Sequence, residues 1–245
     1  MIRVEVEPNL RVITLDRPEK RNALLPDMLN TMTNAVRDNT DRAILLRAEG
    51  KLFSAGFDLK ACANDDESQP TLRALLETLH ELITAMKAAP VPVIIAAHGA
   101  AIAGAAAMLA AADYTVTNTD AKIGYPVVRV GVSPAISAPT LSPRISPGPA
   151  RARFLDAQLI SGERAHAIGL IDEYVDTADE VEPAARAAAE TLANKPPHAF
   201  AQTKAWINEL EPVAVNHTDP GAGIQTSLGL LGTAESRDML AALWN

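Results

Sequence analysis

The sequence predicts an α/β fold, and three observations support this prediction. Short apolar segments of strand length alternate with longer segments in which apolar residues recur at helical spacing. Two of the apolar segments lead into turns of small residues, at residues 51–60 and 98–107, and each turn is expected to open a helix. The 245 residues are 48% hydrophobic and 21% charged, so the chain can bury the core of a large α/β domain.

The strands are predicted from short apolar or alternating runs. They are expected at residues 2–7, 10–15, 43–47, 93–97 and 114–117. The first alternates apolar and charged residues, and the turn-favouring pair Pro8-Asn9 joins it to the second in a hairpin. The third and fourth precede the two small-residue turns.

The helices between the strands are predicted from periodicity and from their ends. They are expected at residues 26–38, 71–88 and 104–111. Pro26 suits a first helical turn, where no amide partner is lost, and Leu75 and Leu79 recur at helical spacing in the second helix. The polar residues 64–70 are expected to form a loop near the pocket.

From Pro149 onward the chain is predicted to be largely helical, with Pro and Gly between the helices. The order of the earlier elements suggests ββα repeats joined by crossover helices. We expect a single domain over residues 1–245, because no tandem repeat and no long linker divides the chain. Within it we expect a strand-and-helix core over 1–148 and a helical C-terminal region over 149–245.

Charge and cysteine content exclude several kinds of partner. With a net charge of −8 and no basic stripe, the chain lacks the counterion release that nucleic-acid binding requires. A single cysteine, Cys62, excludes an internal disulfide, and the N-terminus lacks the apolar run of a signal peptide, so a cytoplasmic protein is expected. Residues 91–112 are long enough to cross a bilayer, but their proline, histidine, glycine and many alanines favour a buried strand, turn and helix.

The two small-residue turns can present backbone N–H groups to a ligand. The first amides of a helix have no intrahelical acceptor, and small side chains let a ligand approach them. Two such turns brought together would form an oxyanion hole, a pair of fixed donors for a carbonyl oxygen that gains negative charge. The dipole of the second helix would add positive potential at its N-terminus.

Three motifs cover the first half of the chain: LDRPEKRNAL at residues 15–24, FSAGFDLK at 53–60 and AAHGAAIAGA at 96–105. They resemble L-N-R-P-x-K-x-N-A-L, F-x-A-G-x-D-L-K and A-x-N-G-x-A-x-G-G-G of the crotonase superfamily, the enoyl-CoA hydratases and isomerases. Further similarity follows in the family's order at residues 121–126, 131–134, 159–162, 167–171 and 233–235. The resemblance implies a crotonase-like spiral of ββα repeats with a helical C-terminal region.

The resemblance also implies an acyl-CoA substrate and no separate cofactor, since coenzyme A is part of that substrate. It assigns the hole amides to Ala55 and Gly104. The positions that match the family's coenzyme A contacts are Lys20, Arg21, Ala23, Ala55, Phe57, Asp58, Leu59, Lys60 and Gly104. For Lys20 and Arg21, a solvated turn is the alternative interpretation.

The chain departs from the family where hydratases carry their proton-transfer groups. Hydration uses two carboxyl groups, one to activate water and one to protonate the α-carbon. The matching positions hold Ala107 and Val127, and neither side chain can carry a proton. The sequence therefore predicts that hydration through two glutamates is absent or very low, as is isomerisation through the later glutamate.

Three candidates could supply the missing chemistry: His80, Tyr125, and the loop pair Asp66 and Glu67. His80 lies in the helix where a dehalogenase branch of the family has a functional histidine, and a helix-face histidine is the alternative. Tyr125 could offer a phenol to the pocket, and a half-buried strand residue is the alternative. Asp66 and Glu67 could reach in from their loop, although loop carboxylates are usually solvated. His98 replaces the family's asparagine and is expected to order its turn.

Other kinds of site lack their sequence signatures. The five histidines and one cysteine show no metal-ligand spacing, so no metal site is predicted. The chain has no P-loop, no dinucleotide fingerprint and no G-x-S-x-G nucleophile elbow.

Two function classes stay open. One is an acyl-CoA enzyme that stabilises an enolate or a tetrahedral oxyanion, with decarboxylation or thioester hydrolysis as its reaction. The other is a non-catalytic acyl-CoA-binding protein. Because members of the family form trimers or dimers of trimers, we expect a homotrimer or hexamer that buries the apolar faces of residues 183–193 and 234–243.

Overall fold

The computed structural model describes residues 1–62, 70–211, 220–228 and 239. Its strands are Ile2–Glu7 (β1), Leu10–Leu15 (β2), Ala43–Ala48 (β3), Val93–Ala97 (β4), Ala100–Ile102 (β5), Tyr114–Asn118 (β6), Lys122–Gly124 (β7) and Glu173–Val175 (β8). Its α-helices are Pro26–Arg37 (α1), Pro70–Ala88 (α2), Gly104–Ala111 (α3), Ala138–Ile145 (α4), Pro147–Leu155 (α5), Gly162–Ala167 (α6), Ala178–Ala193 (α7), Pro197–Leu210 (α8) and Pro220–Leu228 (α9).

Six strands form one sheet in the order β1-β2-β3-β4-β6-β8. The β1–β2 hairpin is antiparallel, and the other neighbours in this sheet are parallel. Parallel neighbours need crossover connections, and α1, α2 and α3 provide them between β2, β3, β4 and β6. A second, two-stranded parallel sheet pairs β5 with β7, with Ile102 opposite Gly124.

The central strands β3 and β4 are buried on both faces, as parallel strands with helices on each side require. Strand β4 divides its side chains between two apolar clusters: Val93, Ile95 and Ala97 face the cluster that contains α1, α2 and α3. Ile94 and Ala96 face the other cluster, in which α7 packs. A capping box between Thr177 and Glu180 fixes the start of α7.

The predicted α/β fold is confirmed, and the predicted strands and helices before residue 118 match the observed ones to within one residue at nearly every end. Three differences remain, the first being that the short strands β5 and β7 were not predicted. The first small-residue turn opens only a short 3₁₀ helix, Leu59–Cys62, and not an α-helix. The region after residue 149 also contributes β8 to the main sheet, so it is not purely helical.

Two predicted segments fall on residues outside the described part of the chain. Residues 64–69 of the predicted polar loop, with Asp66 and Glu67, are not described, whereas Pro70 begins α2, and of the predicted helix over 234–243 only residue 239 is described. Residues 91–112 form β4, β5 and α3. No helix in the described part of the chain is long and apolar enough to span a bilayer.

Candidate functional site

The two small-residue turns lie side by side. Ser54 N donates to the Ala100 carbonyl oxygen at 3.0 Å, and Ile102 N donates to the Ser54 carbonyl oxygen at 3.1 Å. Phe53 N adds a bond to the His98 carbonyl oxygen at 2.8 Å. This short parallel bridge brings together two chain segments that are about 45 residues apart in sequence.

Buried polar side chains hold the first turn against the N-terminal loop. Asn22 is 1% exposed, and its Nδ2 donates to the carbonyl oxygens of Glu49 at 2.8 Å and Leu52 at 3.0 Å. Ser54 Oγ donates to the Asn22 carbonyl oxygen at 2.8 Å and accepts from Gly56 N at 3.1 Å. Because these buried groups are hydrogen-bonded, the turn is held in one geometry.

The amide predicted as the first hole donor is already engaged. Ala55 N donates to the Arg21 carbonyl oxygen at 3.0 Å, which counts against its assignment to a ligand oxygen. Two residues later, Phe57 N has no acceptor among the described residues. Between them, Gly56 has φ +86°, and a Cβ at this position would lie 2.8 Å from the Ile102 carbonyl oxygen.

The second unpaired amide opens α3. Gly104 N also has no acceptor within the described part of the chain, as expected for the first residue of a helix without a side-chain cap. The preceding Ala103 adopts φ 51°, a strained value for a residue with a Cβ, and its own amide is held by the Gly124 carbonyl oxygen at 2.8 Å. A Cβ on Gly104 would lie 2.9 Å from Phe57 Cε1, so the two residues with unpaired amides are in contact.

A pocket of about 280 Å³ lies at this junction, and both Phe57 and Gly104 line it. Most of its other walls are apolar. They include Leu72, Leu76, Leu79, Ile102, Val132 and Ile136. Arg129 is the only permanently charged side chain among the described lining residues, and no carboxylate is among them.

The two positions where hydratases carry glutamates differ in location. Val127 lines the pocket, in the 3₁₀ helix Pro126–Val130. Ala107 is fully buried within α3 and is not among the lining residues. Neither supplies a proton-transfer group to the pocket.

Tyr125 lies beside the second turn and lines the pocket. It is 1% exposed, and its ring packs edge-on against Phe154 with 5.2 Å between the centroids. Its hydroxyl is buried and has no hydrogen-bond partner among the described residues. Burial raises the pKa of the Tyr125 phenol well above its ordinary value, so the group stays protonated and cannot serve as a base.

His80 does not line the pocket. The helix α2 lines the pocket with Leu72, Leu76 and Leu79, while His80 Nε2 lies 3.5 Å from Thr84 Oγ1. Burial lowers the pKa of His80, and the nearby Glu81 opposes this only in part. Its predicted catalytic role therefore has no support from its position.

The predicted coenzyme A contacts divide into two groups. Phe57 and Leu59 line the pocket, as does Ala55, whereas Lys20, Arg21 and Lys60 are exposed on neighbouring loops outside it. Asp58, another predicted coenzyme A contact, pairs with Arg17 at 2.7 Å. Arg17 also donates to the Ala23 carbonyl oxygen at 3.1 Å. With a side chain only 15% exposed, Asp58 joins the two loops instead of facing solvent.

His98 lies as expected at the second turn, with Nε2 at 3.0 Å from the Gly50 carbonyl oxygen. Sequence reasoning missed Arg129 and the Phe57 amide. Arg129 follows Pro126 by three residues, a spacing that places both on one face of a 3₁₀ helix, and both line the pocket. This spacing could have indicated Arg129, but the 3₁₀ helix itself has no clear sequence signal.

Comparison with known proteins gives consistent matches. A family model described as Enoyl-CoA hydratase/isomerase matches residues 5–218. A "Probable enoyl-CoA hydratase" of Rhodobacter capsulatus is 37% identical, with 83% of this chain and 79% of that protein covered. The crotonyl-CoA hydratase of Syntrophomonas wolfei is 31% identical, with 84% and 80% covered. The crystal structure of an enoyl-CoA hydratase/isomerase from Mycobacterium paratuberculosis superimposes with a TM-score of 0.86 at 25% identity, with 98% and 97% covered.

Proposed function

Since the chain belongs to the enoyl-CoA hydratase/isomerase family, we propose that its pocket binds an acyl-CoA thioester through the thioester carbonyl oxygen. In this proposal the donors are Phe57 N and Gly104 N. The observation that supports it is a pair of amides that have no acceptor in the described part of the chain, on two contacting residues at the wall of an apolar pocket. The Phe57 amide replaces that of Ala55, which is bonded to Arg21.

Two such donors act on charge that develops on the thioester oxygen. Fixed N–H groups in a site with apolar walls stabilise an enolate or oxyanion more than water does, because they need no reorganisation during the reaction. The start of α3 contributes further positive potential beside Gly104 N. The strained φ of Ala103 is consistent with a backbone held for this purpose.

The absence of carboxylates from the described lining limits the reaction. Hydration and hydrolysis both require a group that activates water, and the lining residues offer none. Decarboxylation of a thioester with a carboxylate on its α-carbon needs no such base. The bond between the α-carbon and the carboxylate breaks, CO₂ leaves, the electron pair forms the thioester enolate, and water returns a proton to the α-carbon. We therefore favour decarboxylation over thioester hydrolysis.

The carbonyl contact is tested by comparing hexanoyl-CoA with S-hexyl-CoA, a thioether that lacks only the carbonyl oxygen. Two hydrogen bonds of about 0.5–1.5 kcal/mol each correspond to a roughly 5- to 150-fold preference for hexanoyl-CoA in calorimetric binding. Equal affinities for the two ligands would refute the assignment of the amides.

The reaction is tested separately, with malonyl-CoA and methylmalonyl-CoA as substrates and mass detection of the product. Loss of CO₂ at a rate above the uncatalysed one supports the enzyme. Binding without turnover would refute decarboxylation and favour the non-catalytic acyl-CoA-binding protein. Release of free coenzyme A would instead indicate thioester hydrolysis.

A further inference from the structure

Arg129 occupies an unusual position for a charged side chain in this molecule. It lines the pocket together with Phe57 and Gly104, yet it is itself exposed, so the pocket reaches solvent at this residue. Within the described part of the chain its guanidinium forms no ion pair and no hydrogen bond. By contrast, Arg17 beside the first turn is paired with Asp58, and Arg144 in α4 is paired with Asp172.

The turn that carries Arg129 is fixed in the structure. The 3₁₀ helix Pro126–Val130 ends at Gly131, whose φ of 71° reverses the chain, and Val132 N donates to the Val127 carbonyl oxygen at 3.1 Å. Pro126 and Arg129 lie one 3₁₀ turn apart, on the face toward the pocket. The stem of Arg129 can therefore lie along the apolar wall while its charged end stays at the rim.

From this placement we propose that Arg129 recognises a carboxylate on the acyl group, so that the ligands are acyl-CoA thioesters whose acyl part is itself a carboxylic acid. This inference rests on the proposed function and names its substrate class. A planar guanidinium matches a carboxylate with two parallel hydrogen bonds. The chain has a net charge of −8, so a carboxylate on the acyl group, in addition to the phosphates of coenzyme A, needs a local cation. Arg129 is the cation on the described wall of the pocket.

The phosphates of coenzyme A are the other anions that could reach an arginine. Lys20, Arg21 and Lys60 are exposed on the loops next to Ala55 and Phe57, which is the side the family resemblance gives to the nucleotide. Arg129 lies in the 3₁₀ helix that follows β7 and lines the pocket, whereas those three cations do not line it. This difference assigns Arg129 to the acyl side.

The experiment measures binding by calorimetry for two matched pairs of ligands, malonyl-CoA with propionyl-CoA and adipyl-CoA with hexanoyl-CoA. Free coenzyme A is the fifth ligand. We expect a preference of about fivefold for the carboxylated member in at least one pair, because an ion pair at an exposed rim contributes about that much. Raising the salt concentration should reduce this preference.

Arg129→Gln should remove the preference and leave binding of the neutral member and of free coenzyme A unchanged within about twofold. Arg129→Lys keeps the positive charge but not the planar guanidinium, and it should retain part of the preference for the carboxylated ligand. Arg164→Gln is the matched control, since Arg164 is exposed in α6 and does not line the pocket.

Two results would overturn the inference while leaving the proposed function intact. One is equal affinity for both members of both pairs, with neutral acyl-CoA still bound. The other is an equal loss of affinity for free coenzyme A in Arg129→Gln, which would assign Arg129 to the phosphates. If none of the acyl-CoA ligands binds, the proposed function itself fails.

Discussion

Tyr125 shows how burial decides the chemistry that one side chain can offer. Tyr125 lines the pocket, but its hydroxyl is buried without a partner in the described structure. Burial raises the pKa of the phenol well above its ordinary value, so the phenol is neutral at physiological pH. A neutral phenol can donate a hydrogen bond, but a buried one without a partner lowers stability.

Tyr125→Phe should therefore leave the free energy of unfolding unchanged or raise it by about 1 kcal/mol, since the change removes an unsatisfied polar group. Urea denaturation measures this difference. Tyr114→Phe is the control, because the Tyr114 hydroxyl donates to Glu173 at 3.2 Å and its removal should lower stability slightly. A loss of more than about 1 kcal/mol in Tyr125→Phe would indicate a partner for the hydroxyl and contradict this account.

Individual residues of the site were predicted less well than the segments that carry them. The motif located the first turn, but not which of its amides is unpaired, because that depends on the bond from Ala55 N to Arg21 in another loop. The helix containing His80 was predicted correctly, but the orientation of that helix toward the pocket follows from packing between distant segments. Arg129 was missed because its role depends on a 3₁₀ turn and on a pocket formed by several elements.

A network of ion pairs joins the β1–β2 hairpin and β3 to α7. Arg47 on β3 pairs with Glu182 of α7 at 2.6 Å and with Glu49 at 2.5 Å, and its Nε donates to Thr14. Arg186 extends this network from Glu182 to Glu7 of β1. Networks of this kind contribute more than isolated surface pairs, since each charge has several partners.

Arg47→Met should lower the free energy of unfolding by about 1–2 kcal/mol, because it leaves two partly buried carboxylates without their shared cation. Arg73→Met is the matched control: Arg73 lies 3.8 Å from Glu77 on the surface of α2, and its loss should cost less than about 0.5 kcal/mol. Urea denaturation of both variants gives the comparison. Equal losses would show that the network adds nothing beyond a surface pair.

The same network predicts a pH dependence. Burial alone would raise the pKa of Glu182, but hydrogen bonds from Arg186 and Arg47 outweigh it and hold the pKa below its ordinary value of 4.5. A carboxyl whose folded pKa is lowered stabilises the protein above its unfolded pKa, and this contribution is lost as the pH falls through the folded value. As the pH falls from 5 to 3, Glu182→Gln should therefore lose less stability than the parent. A parallel decline in both proteins would contradict the assignment.

The order of elements along the whole molecule was largely predictable, and the predicted family and crotonase-like fold are confirmed. Apolar runs such as residues 93–97 and the periodicity of α2 are local signals, so they located these elements well. The short strand β8 was missed because its three residues pair with β6, about 55 positions earlier, and have no pattern of their own. Long-range pairing of this kind is not encoded in local periodicity.

The predicted homotrimer or hexamer was expected to bury the apolar face of residues 183–193 between subunits, but that face of α7 already packs on the main sheet through Ala185 and Ala189. Helix α8 exposes Trp206, Ile207 and Leu210, which are 59%, 52% and 60% exposed. Apolar groups so exposed on one helix favour burial between subunits. Lys204 on the same helix is held by Asp113 at 2.5 Å, so this helix is firmly attached to the sheet.

Light scattering should show a mass well above the 25.9 kDa of one chain at micromolar concentration. Trp206→Glu should shift the protein toward the monomer, whereas Ala205→Glu, a charge added at an exposed position on another face of the same helix, should not. A parent that scatters as a monomer would contradict the predicted assembly. If Trp206→Glu forms the same oligomer as the parent, the exposed face of α8 is not part of the subunit interface.

If this pocket binds an acyl-CoA thioester but lacks the groups that hydrate one, the unmodified protein should not hydrate crotonyl-CoA. Each missing acid or base typically costs about 10²–10⁴-fold, although two groups that act as a unit do not simply multiply. With the crotonyl-CoA hydratase of Syntrophomonas wolfei as positive control, we expect crotonyl-CoA to bind and 3-hydroxybutyryl-CoA to stay at background. Hydration at ordinary enzyme rates of about 1–10³ s⁻¹ would contradict the account.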